Sequence, residues 1–398
     1  MRIVFLTNFF SEKMGYSDNF LPKAVAKLGH DVHIVTSNAQ VYYGTKLYKD
    51  NFEPFLGPGL VECGASKLNG YQLHRLPVIK KKGEVLFKGL FEKLKSINPD
   101  VVIISEHYSR LSKIAAFYKI ILNYKFISEC HYHISVFPPA RGDITLAEKL
   151  KWFLYSNTIG RVFSFLCDAC YPISSDAADI AEHFFGINSN KISICSLGTD
   201  TELFHPVFDA TSQKQRQVTR EKFGFKDSDI VCVYTGRFSH GKKTLCMAEA
   251  IASIHNNNKL YWGLFIGNGS VNDVEQIKNN IGCIVHDFIP CQDLPLIYRA
   301  SDIAIWPAQE STSQLDAAAC GLPLILSNRI FVKERIEGNG LLYEEGDYLD
   351  LAEKILSLTS TNKRKKLGAY GSVKMRKDFS WDKIARQRIN DIENLMKK

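Results

Sequence analysis

Trp306-Pro307-Ala308-Gln309-Glu310-Ser311-Thr312-Ser313-Gln314-Leu315-Asp316-Ala317-Ala318-Ala319-Cys320-Gly321-Leu322-Pro323 reads as a strand end, a turn and a short helix of small residues. The apolar run 303–306 supplies the strand, Ser311, Thr312 and Ser313 are helix-starting residue types, and Gly321 can take the left-handed conformation that closes a helix. A strand feeding a helix in this way is the repeating unit of a parallel α/β sheet. It leaves the helix N-terminus, with free N–H groups and a partial positive charge, at the carboxyl edge of the strand. That edge suits a phosphate, and Asp316, one turn in, suits ribose hydroxyls. A plain capped helix carries the same signals, so the neighbouring segments have to discriminate.

Apolar runs at 3–6, 32–36 and 101–105 alternate with a helix-period segment at 20–28. The alternation restarts after residue 215, with runs at 230–235, 260–266, 283–286 and 303–306 around a helical stretch at 244–255. This pattern predicts an α/β protein of two doubly wound, Rossmann-like domains, facing each other across a cleft at the carboxyl ends of both sheets. A length of 398 residues agrees with two cores. The polar stretch 209–219 reads as an exposed linker and puts the boundary between residues 205 and 218.

Composition narrows the class further. With 45% hydrophobic and 23% charged residues, the chain is neither disordered nor fibrous. The first apolar run is too short for a secretory signal core, and no window reaches the 18 or so uninterrupted apolar residues of a membrane span, so a cytoplasmic protein is expected. The ten cysteines lie mostly inside apolar runs and read as reduced, buried thiols, and Cys167-Asp168-Ala169-Cys170 lacks a second ligand pair at zinc spacing. A net charge of +8 fits nucleic acid, an anionic membrane surface or a phosphorylated substrate, and selects none of them by itself.

The second informative segment is Tyr234-Thr235-Gly236-Arg237-Phe238-Ser239-His240-Gly241-Lys242-Lys243-Thr244, a strand that runs through glycine into cations and a helix. Arg237 offers a planar fork for phosphate oxygens and Lys242 a point charge. Together they could neutralise a departing pyrophosphate; solvated surface cations are the plain alternative.

Taken in order, strand-G-R-x4-K, strand-P-x2-E-S and acidic-A-x-A-C-G-x-P resemble the retaining GT-B glycosyltransferases of family 4, glycosyl transferases group 1. The resemblance continues through Gly29-His30-Asp31-Val32, Asn98-Pro99-Asp100-Val101-Val102, and Leu197-Gly198-Thr199-Asp200 with Phe204-His205-Pro206. It implies the GT-B fold, with residues 1–205 as an acceptor-side domain, 215–378 as the nucleotide-sugar-binding domain, and 379–398 as a helix crossing back to the first.

The resemblance also implies roles. Arg237 and Lys242 would bind the donor diphosphate beside Gly236, Glu310 would lie near the donor sugar, Ser311, Thr312 and Ser313 would border the phosphates, and Asp316 would hold the ribose. His131 would lie near the donor sugar or acceptor, and Gly15 would stand in a small loop, 14–19, that approaches the donor. The chain departs from the family in having five residues between the two acids instead of seven, and Asp as the second. The implied activity is transfer from a UDP- or GDP-linked sugar, with retention, to a glycan, lipid-linked or small-molecule acceptor. No metal, no cofactor and no nucleic acid is implied. An epimerase or phosphorylase on the same scaffold, or a non-catalytic nucleotide-sugar-binding protein, are the alternatives.

Three further motifs are read as structural. Asp227-Ser228-Asp229 looks like a metal-binding D-x-D but stands just before a strand, where it would cap. Gly267-Asn268-Gly269-Ser270 lacks a third glycine and reads as a turn closing the donor site. Residues 80–97 place apolar side chains at helical spacing beside lysines; a core-facing helix is preferred there over a membrane-surface helix, and peripheral contact with the inner face of a membrane stays open.

Overall fold

The computed structural model describes residues 1–81 and 84–397. Its first sheet contains β1 (Arg2–Leu6), β2 (Asp31–Ser37), β3 (Gly64–Leu68) and β4 (Tyr71–Leu76). A separate hairpin, β5 (Val78–Lys81) and β6 (Glu84–Phe87), precedes the remaining strands β7 (Val101–Ile104), β8 (Lys125–Cys130) and β9 (Ala169–Pro172). Spatial order is β3-β4-β2-β1-β7-β8-β9, with only the β3–β4 pair antiparallel. The second sheet is wholly parallel, in order β12-β11-β10-β13-β14-β15. Its strands are β10 (Ile230–Thr235), β11 (Tyr261–Ile266), β12 (Cys283–His286), β13 (Ile303–Trp306), β14 (Leu324–Ser327) and β15 (Gly340–Tyr343). In each sheet the chain winds one way from a central strand and then the other, so the winding reverses beside β1 and beside β10. Those are the places where such sheets hold ligands. The central strands are covered on both faces, which is why their sequences are continuous apolar runs instead of alternating ones.

The stretch read as a linker is a helix, Ala210–Lys222. Asp209 caps it by accepting the Ser212 N–H at 2.7 Å, and its Gln, Lys and Arg residues favour the helix. Arg216 and Arg220 anchor it to Asp302 at 3.0 and 3.1 Å. Polar composition therefore marked a helix docked by arginines on the second sheet. The lysine-rich run also differs from its helical spacing: Ile79 pairs with Leu86 in the hairpin, and only Leu90–Ile97 is helical. That helix buries Leu90, Leu94 and Ile97, as the core-facing reading required. Lys82 and Gly83 of the run lie outside the described residues.

The C-terminal helix Trp381–Met396 starts at Ser380, whose hydroxyl accepts the Lys383 N–H. Its Trp381, Ile384, Ile389 and Ile392 join Ile3, Phe5 and Val25 in the core beneath the first sheet. Arg388 reaches Glu129 at the end of β8, Nη1 to Oε1 at 2.8 Å, with both side chains buried. Among the described residues, no helix is long and apolar enough to cross a membrane.

Candidate active site

The loops that leave β1 and β10 meet between the two sheets. They enclose a cavity of about 240 Å³ lined by Lys13, Gly15, Tyr16, Tyr42, Phe52 and Phe55 on one side and by Gly236, Arg237, Lys242, Phe288, Ser311, Thr312, Ser313 and Asp316 on the other. Gly236 has φ +138, a conformation costly for any residue with a Cβ. Gly267 lies against it so closely that a Cβ there would stand 1.8 Å from the Gly236 carbonyl oxygen. The 267–270 turn thus supports the backbone from which Arg237 departs.

Arg237 and Lys242 are the electrostatic centre of this cavity. Among the described residues, no carboxylate pairs with either side chain, and Lys242 Nζ reaches only the Glu310 carbonyl, at 3.5 Å. Burial, followed by the like charge of Arg237, pulls the Lys242 ammonium down to about 8, against a smaller opposing effect from Glu310. Two cations held together without an acid form a site that an anion would relieve.

The helix after β13, Ser313–Ala319, has only seven residues. Thr312 makes no capping bond; Ser311 Oγ accepts the Ser313 N–H at 3.3 Å, so one of the three hydroxyl residues does the capping. Gly321, at φ +83, closes the helix as its sequence position required. Asp316 is buried in the same helix. Its Oδ1 accepts the Thr199 hydroxyl from across the cleft at 2.6 Å, while Oδ2 carries no protein hydrogen bond among the described residues. Burial pushes its carboxyl up to about 7; Thr199 opposes this and Asp200 adds to it.

Gly15 lines the cavity, but the group pressed against it is protein: a Cβ there would meet Cys291 Sγ at 2.5 Å. Beside it the Cys291 N–H donates to the Lys13 carbonyl at 3.0 Å, so this loop closes one domain on the other. Glu310 stands at the edge of the cavity, away from its wall. Its Oε1 accepts the Phe331 N–H at 2.9 Å, and its Oε2 accepts Ser135 Oγ from the first domain at 3.4 Å. His131 lies in an adjoining cavity, also about 240 Å³, which shares Tyr16 and Thr312 with the first and includes Asp18, Ser105 and Glu106. Burial opposes protonation of His131, but Glu129 at 3.1 Å outweighs it and raises the imidazole's pKa. Burial also raises the carboxyls of Asp18 and Glu106.

Asp229 Oδ2 accepts the Lys226 N–H at 2.7 Å in the turn before β10, at the end of the strand opposite the cleft. Cys167 and Cys170 are fully buried, and burial pushes both thiols up.

Sequence reasoning missed the aromatic wall, in which Phe288 stacks on Phe52 with ring centroids 5.3 Å apart. It also missed Arg335, which is buried beneath the Glu310 turn with one N–H reaching the Ser311 carbonyl at 3.4 Å and, among the described residues, no partner for Nε or Nη2. No local spacing announces either, because both depend on segments remote in sequence. Thr199 lay inside a motif whose contact with Asp316 only the fold reveals.

Comparison with known proteins agrees with this architecture. Residues 229–361 match the family model described as "Glycosyl transferases group 1". Spore coat protein SA of Bacillus subtilis is 26% identical over 215 residues, 49% of this chain and 57% of that protein. The UDP-Gal:alpha-D-GlcNAc-diphosphoundecaprenol alpha-1,3-galactosyltransferase of Escherichia coli is 28% identical over 200 residues, 46% of this chain and 50% of that protein. The chain thus spans about half the length of the curated relatives it matches. Anabaena Alr3699/HepE, solved in complex with UDP-glucose, superposes with a TM-score of 0.70 at 16% identity, over 99% of this chain and 100% of that one. Sucrose-phosphate synthase from Thermosynechococcus elongatus gives 0.68 at 16% identity, over 100% and 99%. The chain has the GT-B fold, and its residues 229–361 are similar to the group 1 glycosyl transferases.

Proposed function

We propose that the protein transfers a sugar from a UDP- or GDP-linked donor to a glycan, lipid-linked or small-molecule acceptor, with retention of configuration. The observation that carries this reading is the pair Arg237 and Lys242, two unneutralised cations on a cleft between Rossmann-like sheets. A nucleoside diphosphate is the leaving group such a pair would stabilise, and charge develops on it only as the sugar departs. Gly236 lets the donor approach the backbone, Ser311 to Ser313 border the phosphates, and Asp316 accepts ribose hydroxyls through the oxygen that Thr199 leaves free. His131, its charge favoured by Glu129, faces the acceptor side, and Glu310 orients the donor sugar at the cleft edge. Residues 1–205 then serve the acceptor, 215–378 the donor, and 379–398 tie the two together, in a cytoplasmic enzyme.

Because the two side-chain cations supply positive charge at the diphosphate, transfer is expected to proceed without a divalent ion. The test is donor consumption and product formation over a panel of UDP- and GDP-sugars and acceptors, in EDTA and again with magnesium or manganese at saturating donor. Turnover should survive chelation. Activity that vanishes in EDTA and returns only with metal would overturn the leaving-group assignment, and donor binding without any turnover would favour a non-catalytic nucleotide-sugar-binding protein.

A further inference from the structure

The amino ends of β13 and β14, at the edge of the second sheet remote from the cleft, open onto a groove of about 600 Å³. It shares no lining residue with the cavity that holds Arg237 and Lys242. Arg216, Arg299, Arg364 and Lys365 line the groove, against a single acid among the described residues, Asp302. That carboxylate is already engaged: it accepts Arg216 at 3.0 Å, Arg220 at 3.1 Å and the Val231 N–H at 2.9 Å. Arg216 is therefore balanced, while Arg299, Arg364 and Lys365 form no ion pair among the described residues.

Arg299 is the cation that solvation does not explain. It is only 8% exposed, its Nε has no partner among the described residues, and its Nη1 reaches the imidazole of His205, Nε2 at 3.2 Å. His205 Nδ1 donates to the Pro206 carbonyl at 2.9 Å, which leaves Nε2 as a neutral acceptor facing the guanidinium. A buried guanidinium that no acid balances is costly, and an anion beside it would offset that cost. Arg364 donates through Nη1 to the Leu358 and Thr359 carbonyls, at 2.7 and 2.6 Å, and keeps its charge. Lys365, next to it, is exposed. Guanidinium forks match the geometry of phosphate oxygens, and an ammonium adds a point charge. The groove is roomier than a bare phosphate requires, and its lining includes the apolar Val207, Leu322 and Pro323. We infer that it binds a phosphorylated small molecule, with the phosphate on Arg299, Arg364 and Lys365 and the organic part against Val207, Leu322 and Pro323.

The experiment is calorimetric titration of the full chain, in a phosphate-free buffer, with inorganic phosphate and with glucose 6-phosphate. Both should bind, glucose 6-phosphate the more tightly; equal affinities would overturn the contact with the organic part. Because Arg237 and Lys242 offer a second place for an anion, each titration is repeated on Lys242→Met, which should retain the binding. Arg299→Met should weaken it about tenfold or more, and Lys365→Glu about fivefold. The first substitution removes an unbalanced buried charge and the second lies at an exposed position, so both variants should fold, which thermal melting checks. Should Arg299→Met fail to fold, Lys365→Glu decides alone. Absence of binding to the wild-type chain would overturn the proposal. So would binding that Lys242→Met abolishes and the groove variants leave unchanged, which would put the anion in the cleft between the sheets.

Discussion

Burial shifts both Lys242 and Asp316 towards their neutral forms, and a bound donor would favour the charged form of each. A lysine pulled down to about 8 destabilises the empty fold at neutral pH: its folded pKa is depressed, so stability rises as pH climbs from about 8 towards the unfolded value. Lys242→Met should therefore raise the stability of the free protein by roughly 1–3 kcal/mol while cutting turnover by roughly 100-fold. A melting curve and a rate measured on one preparation check both signs, and near-normal turnover would remove Lys242 from the diphosphate. Asp316 behaves in the opposite sense. Its folded pKa, about 7, lies above the unfolded one, so its contribution to stability is complete below about pH 4 and is lost as pH rises to about 7. Asp316→Asn should remove that loss. Since ribose hydroxyls need an ionised acceptor and the diphosphate a charged lysine, donor affinity should peak between about pH 7 and about pH 8. In Asp316→Asn the acidic limb of that profile should flatten, with the defect appearing mainly in the donor KM. An unchanged acidic limb would place the ribose elsewhere.

Elements whose signals are local were legible from the sequence, and elements whose meaning depends on a distant partner were not. The strands Ile230–Thr235 and Ile303–Trp306 could be read because burial on both faces leaves an unbroken apolar run. Gly321 was legible because a helix end needs its positive φ. The helix Ala210–Lys222 was not, since what holds it is arginine bonding to Asp302 some 80 residues later, and polar composition alone looks like a loop. The hairpin of β5 and β6 was hidden because Leu86 and Phe87 stand four residues before Leu90 and Phe91 respectively, a spacing that also suits a helix. In the candidate site, Arg237 and Lys242 were visible as charges after a strand and Asp316 as an acid one turn into a helix, whereas the carboxylate of Glu310 turned out to be engaged by Phe331 and Ser135. The C-terminal helix offers a test of a long-range contact. Glu129 is buried, and Arg388 and His131 together overcome that burial and hold it down to about 2. Its contribution is therefore present above its unfolded value and lost as pH falls towards 2. Arg388→Met should cost about 3–5 kcal/mol at neutral pH, with the deficit shrinking below pH 4.5. A deficit that did not vary with pH would mean that only packing had been lost.

The two sheets are joined by a chain of contacts that passes directly beside the cleft. Thr199 donates to Asp316, while the neighbouring Asp200 pairs with Lys23 at 2.6 Å within the first half; Cys291 bonds to Lys13, and Phe288 stacks on Phe52. The C-terminal helix follows the second sheet in sequence yet contributes Trp381 and Ile384 to the core of the first. Neither half can therefore lose its fold without exposing apolar surface in the other, and thermal unfolding should be a single transition. A donor lying between Lys13–Tyr16 on one side and Arg237, Lys242 and Asp316 on the other would add one more bridge. Because a ligand that binds only the native state stabilises it in proportion to its occupancy, a nucleoside diphosphate at about 100 times its Kd should add about 2.7 kcal/mol to the whole transition. Calorimetry with the better-bound of UDP and GDP can decide this, using Lys242→Met as the control that should lose most of the shift. If the scan instead resolves two transitions and the nucleotide moves only one, the nucleotide touches a single domain, and the aromatic wall of Phe52 and Phe55 belongs to some other part of the catalytic cycle.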